Sequence, residues 1–147
     1  MKILVPVDGS KHSLEGIKVA AHFAKAKDAE TTIITIIPSV ADIDLELSPS
    51  ERDRLLEGMK SRGEALLAKG KDLLKSYGAS TVNTVLFTGM SPAHEIVAFA
   101  EKEKVDLIII GSKGRGATAR FFLGSVAANV VRYGPCCVYV VKEPCWV

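Results

Sequence analysis

Acidic side chains are missing from most of the last third of the chain: none stands between Asp106 and Glu143, an interval that carries Lys113, Arg115, Arg120, Arg132 and Lys142. That imbalance sets up a local positive field suited to an anion, or a solvated basic face. The opposite bias occurs earlier, where residues 42–57 hold six acids against two arginines. The net charge is only +2, which excludes the global basic footprint of a nucleic-acid binder. No apolar run approaches the roughly 18 residues of a membrane span, so no membrane partner is expected. The three cysteines, with Cys136 and Cys137 adjacent, give neither a disulfide framework nor a CxxC metal spacing. The opening MKILVPVDGS lacks a secretory pattern and reads directly as a strand. Together these absences point to the reducing cytoplasm and to one domain over residues 1–147.

What is present is alternation. KILVPV (2–7) is a continuous apolar run, as in a strand buried on both faces, and Leu14, Ile17, Ala21 and Ala24 then fall at helical spacing. TTIITII (31–37) is a second strand, with Pro38 as its expected stop, followed by an acidic loop over 38–47. Ser48-Pro49-Ser50-Glu51 reads as a capping box. The helix it opens is expected to turn Leu55, Leu56, Met59, Leu66, Leu67, Leu73, Leu74 and Tyr77 inward and to end at Gly78. TVNTVLF (81–87), a Ser91-Pro92 cap, the stripe Ile96, Val97, Ala100, and VDLIII (105–110) give strand, helix and strand again. Val126, Val130 and Tyr133 mark a last helix, and CCVYVV (136–141) a fifth strand. Strands alternating with helices build an α/β fold with a parallel sheet covered on both faces. In such sheets ligands gather beyond the carboxyl ends of the strands, where the winding reverses.

Chemistry at the strand ends is uneven. The first strand runs into Val7-Asp8-Gly9-Ser10, and the fourth into GSKGRGATARFFLGS (111–125), with four glycines and three bases. Glycines allow close approach to the backbone, and Gly124-Ser125 stands just ahead of a helix whose amides would face an anion. The reading without a ligand takes the glycines as turns and Ser125 and Asp8 as helix caps. The phosphate loop GxxxxGK[ST] is absent, because Gly116 is followed by Ala117. A GxGxxA run at Gly114–Ala119 is misplaced for a dinucleotide, lying after the fourth strand.

The spacing Gly111-x2-Gly114-x9-Gly124-Ser125 resembles the ATP-binding motif of the universal stress protein family. The likeness extends over VPVDGS, GMSPAHEI, VDLIIIGSKG, LGSVAANVV and CCVYVV, essentially the whole chain. It implies a Rossmann-like α/β sandwich with a five-stranded parallel sheet in the order 3-2-1-4-5. It also implies an ATP site. Asp8 and the backbone at Pro6 and Val7 would hold adenine and ribose, and Ile36 would pack on the adenine. Ile110 and Gly111 would line the ribose, and Gly114, Gly124, Ser125 and the Val126 amide would take the phosphates. Mg²⁺ or Mn²⁺ would be bound through the phosphate oxygens, since such ions keep waters and lean on the nucleotide. Lys113 departs from the family, which often has His or Arg there, and Arg115-Gly116 adds a base and a joint.

His12, His22 and His94 have no zinc spacing and read as surface or capping residues. Cys136 and Cys137 read as small buried hydrophobes on opposite faces of a strand. No catalytic residue emerges, and the HxGH and SGGxDS motifs of ATP-cleaving relatives are absent. The expectation is an adenine-nucleotide switch in the stress response, with ATP ordering residues 111–124 for an unknown downstream partner. A slow ATP hydrolase or nucleotidyl transferase, and a nucleotide-free dimeric interaction module, are the alternatives. The apolar last strand, 136–142, has no helix after it to cover it and is expected to pair with a second copy in a homodimer.

Overall fold

The computed structural model describes residues 1–39, 46–113 and 123–143. Most of the acidic loop lies outside these residues, as do Gly114, Arg115, Gly116, Thr118, Arg120 and Cys145. The elements alternate: β1 (Lys2–Pro6), α1 (Lys11–Lys27), β2 (Glu30–Pro38), α2 (Pro49–Ser76), β3 (Thr81–Gly89), α3 (Pro92–Lys102), β4 (Leu107–Gly111), α4 (Ser125–Tyr133) and β5 (Cys137–Val141). All four ladders are parallel and the sheet order is β3-β2-β1-β4-β5, as the family resemblance implies.

The continuous apolar runs serve two cores at once. Ile3, Val5, Leu107 and Ile109 face α1 and α2, while Leu4, Ile108 and Ile110 face α3 and α4. Alternate side chains of one strand point to opposite faces, so a strand buried on both sides must be apolar throughout. Helix α2 lies close on the sheet because two of its own buried residues, Gly63 and Gly70, have no side chain: a Cβ on Gly63 would meet Leu86 at 2.6 Å, and one on Gly70 would meet Ile33 at 3.1 Å. Its N-terminus carries the expected capping box between Ser48 and Glu51.

Three expectations change. β2 takes in Pro38, expected to lie just past the strand, and ends there paired with Gly89. The β1 ladder reaches only Ile34, so the missing N–H of Pro38 interrupts no bond to β1. Tyr77 is 44% exposed, because as the C-cap of α2 it lies past the packed stretch. Tyr133 closes α4 as the helical spacing implies, and at that end it is exposed. Cys137 is exposed at the start of β5, while Val141 at the other end of the same strand is buried, and Cys136 is half-buried against the α3–α4 core. Burial pushes the Cys136 thiol up, with smaller contributions from Cys137 and Asp106, which is the reverse of activation.

Candidate functional site

The reversal of winding falls between β1 and β4, and beyond their carboxyl ends lies a cavity of about 440 Å³. That is within the usual range for a small-molecule site. Pro6, Val7 and Asp8 reach it from β1, Ile36 from β2, Ile110 and Gly111 from β4, and Gly124, Ser125 and Val126 from the start of α4. Nine of the ten residues singled out by the sequence thus line one cavity, and the tenth, Gly114, lies outside the described residues.

The turn after β1 is tightly built. Val7 donates its N–H to the Ile34 carbonyl and accepts the buried Thr35 hydroxyl at 2.6 Å. Gly9 takes φ +86°, a left-handed conformation natural to glycine. The Asp8 carboxylate accepts the Ser10 N–H at 2.9 Å, so Asp8 shapes the turn while Ser10 is the N-cap of α1. Ser10 Oγ accepts the Ser13 N–H and donates to the Lys113 carbonyl at 3.5 Å. Asp8 and Lys113 are the charged groups among the described residues lining the cavity.

The β4 end is shaped by what Gly111 lacks. A Cβ there would stand 2.9 Å from the His12 carbonyl carbon, the His12 Cβ and the Ser13 nitrogen. The first turn of α1 therefore rests directly on the backbone of β4. Ser112 follows, 3% exposed, and its carbonyl accepts the Gly124 N–H at 2.7 Å. That bond fixes α4 against the end of β4. Gly124 is the N-cap of α4 and offers no side-chain cap. The amides of Ser125, Val126 and Ala127 form a first turn with no carbonyl of their own helix to bind, and the helix dipole is positive at this end.

The cavity has two chemistries. Ile34, Ile36, Ile96, Ile110 and Pro92 offer apolar surface, and the α4 N-terminus offers amides to an anion. Among the described residues no cluster of three metal-ligating side chains occurs. With Asp8 as the one carboxylate on the described wall, a divalent ion here would take its remaining ligands from a bound anion and water. No helix among the described residues is long and apolar enough to cross a membrane.

A family model described as the universal stress protein family matches residues 1–142. The chain belongs to that family. Universal stress protein MJ0531 of Methanocaldococcus jannaschii is 39% identical over 143 residues, which cover 97% of this chain and 82% of the relative. The universal stress protein UspA from Lactobacillus plantarum superposes with a TM-score of 0.86 at 26% identity, covering 96% of this chain and 97% of the other. A universal stress protein in complex with cAMP superposes at 0.71 and 27% identity, with 97% and 96% covered.

Five wall residues escaped the sequence reading, Ser13, Ile34, Pro92, Ile96 and Ala127, while Lys113, read there as a base of the glycine loop, also lines the wall. Two carried a usable signal. Ile34 is two residues before Ile36 and so shares its face of β2, and Ala127 lies in the same first turn of α4 as Ser125 and Val126. Pro92 and Ile96 come from α3, whose approach to the cavity is set by packing on the sheet.

Proposed function

We propose that the protein is an ATP-binding regulatory member of its stress-response family, one nucleotide-binding domain over 1–147 that acts as a switch. The observation that carries the reading is the uncapped α4 N-terminus opening onto an apolar-walled cavity at the β1–β4 reversal. An adenine ring suits the walls at Ile36 and Ile110, with Pro6, Val7 and Asp8 holding base and ribose and Gly111 beside the sugar. The phosphates suit the amides of Ser125 and Val126, with Gly124, whose own N–H is held by the Ser112 carbonyl, leaving room for their approach and Gly114 completing the motif. Lys113 adds a cation, and Mg²⁺ or Mn²⁺ held by the phosphates would neutralise the remaining charge. The cAMP complex of a relative supports an adenine nucleotide as the ligand class.

Titration calorimetry with ATP, AMP and cAMP tests this. ATP is expected to bind with the highest affinity, and Asp8→Ala to weaken it by about 1.5–3 kcal/mol, the usual loss for a charged hydrogen bond. Asp8→Asn keeps an oxygen acceptor for the Ser10 N–H, which separates a ligand contact from the shape of the turn. Equal affinity in all three proteins would move the nucleotide elsewhere. The setting is the reducing cytoplasm, where the exposed Cys137 stays a thiol.

The second part of the reading is a homodimer through the last strand. Val141 accepts the Ser112 N–H, so the polar groups of Val141 point to β4. Backbone direction alternates along a strand, and those of Val140 therefore point outward, away from the sheet. Val140→Pro removes an outward donor and no bond to β4. Light scattering is expected to show a wild-type dimer and a monomeric, folded Val140→Pro. A wild-type monomer at micromolar concentration would exclude pairing through this edge.

A further inference from the structure

We infer that His12 is a positioning residue, whose imidazole ties the end of β5 to the serine that seats the start of α4. The ring lies outside the cavity wall, half-buried at the second position of α1. Gly111 lets the α1 backbone come close enough for the ring to reach across the ends of β4 and β5. Its Nδ1 accepts the backbone N–H of Glu143 at 3.1 Å and lies 3.4 Å from Ser112 Oγ. An N–H aimed at Nδ1 requires a lone pair there, which puts the ring proton on Nε2 and leaves the Ser112 hydroxyl to act as donor.

Ser112 is a junction of three segments. Its N–H binds the Val141 carbonyl of β5, its carbonyl binds the Gly124 N–H at α4, and its hydroxyl faces the α1 histidine. At 3% exposure that hydroxyl has little access to water, and a buried hydroxyl without a partner is costly. His12 therefore holds the orientation of Ser112, and through the Ser112 carbonyl the position of the Gly124 amide. It also anchors Glu143, two residues past the end of β5. One imidazole thus couples the floor of the anion-binding turn to the tail of the edge strand.

Amide hydrogen exchange, read by NMR on the full chain without ligand, tests this directly. The variants are His12→Phe, which keeps a flat ring and removes the acceptor, and His12→Asn, whose Oδ1 can occupy the place of Nδ1. In His12→Phe the Glu143 amide is expected to lose about three- to tenfold of its protection, the effect of one hydrogen bond. The Gly124 amide loses protection with it, while the Val5 and Ile109 amides do not change. His12→Asn restores both affected sites. A Gly124 amide at wild-type protection in His12→Phe overturns the inference, as does failure of His12→Asn to restore it. His12→Ala replaces the phenylalanine variant if that protein does not fold, with the same expected pattern. Titration with ATP adds an arm that rests on the nucleotide reading: affinity falls about threefold in His12→Phe and recovers in His12→Asn. If the wild-type protein binds no ATP, the nucleotide reading falls, and the exchange pattern alone decides the role of His12.

Discussion

Gly111→Val is expected to lower the thermal midpoint by about 10 °C, corresponding to about 3 kcal/mol for a domain of this size. A Cβ at position 111 meets the backbone of His12 and Ser13 at 2.9 Å, and backbone cannot swing aside as a side-chain tip can. The first turn of α1 would have to lift from β4. Ser13 would move with it, and Ser13 Oγ holds both the Asp8 N–H and the Ser10 carbonyl. Differential scanning calorimetry measures the shift, and Gly111→Ala should show a smaller loss in the same direction. A Gly111→Val protein that melts with the wild type would mean that α1 does not rest on β4 as described.

Gly124→Val is expected to do the opposite, leaving the fold intact and weakening ATP binding by about 100-fold, or about 2.7 kcal/mol. Gly124 has φ −61° and ψ 155°, an extended conformation that valine adopts readily. Its N–H remains able to bind the Ser112 carbonyl. What changes is the cavity wall, where a branched side chain would stand at the start of the α4 amides. Calorimetric titration on a variant with wild-type melting decides it, and unchanged affinity would remove the phosphates from this helix end. The same pair of proteins separates a switch from a hydrolase. Phosphate release at about 1 s⁻¹ or faster, in the ordinary enzyme range and lost in the variant, would establish an enzyme.

The identity of β1 and β4 as strands was legible because burial on both faces leaves a distinct composition, whereas the order of the strands in the sheet came from the family resemblance. VDLIII admits one polar residue, Asp106, and that residue lies before β4 begins, binding the backbone of Lys2. Helix starts were legible where a side chain caps them, as at Ser48 and Ser91. At α1 the cap is Ser10 rather than Asp8, and nothing local distinguishes the two, since both are good N-cap residues. Tyr77 and Tyr133 fit the helical stripes but sit at helix ends, where the stripe runs past its partner. The cavity wall was readable where glycine spacing or strand alternation fixed it, and opaque at Pro92 and Ile96. His12 looked like an ordinary surface histidine because its partners lie 100 and 131 residues away. No local pattern encodes contacts of that range.

The place of β1 in the sheet also has a bearing on the order of folding. Its ladder to β2 joins neighbouring segments through one helix, whereas its contact with the start of β4 links Lys2 to Asp106 across 104 residues. Closing the longer loop costs more chain entropy, and pairings of large sequence separation form slowly. The β1-β2-β3 half can therefore assemble from local crossovers, and the β4-β5 half must then dock along β1. The cavity straddles that seam. It comes into existence only when the slowest pairing closes, and any molecule that fills it stabilises the docked state selectively over the half-assembled chain.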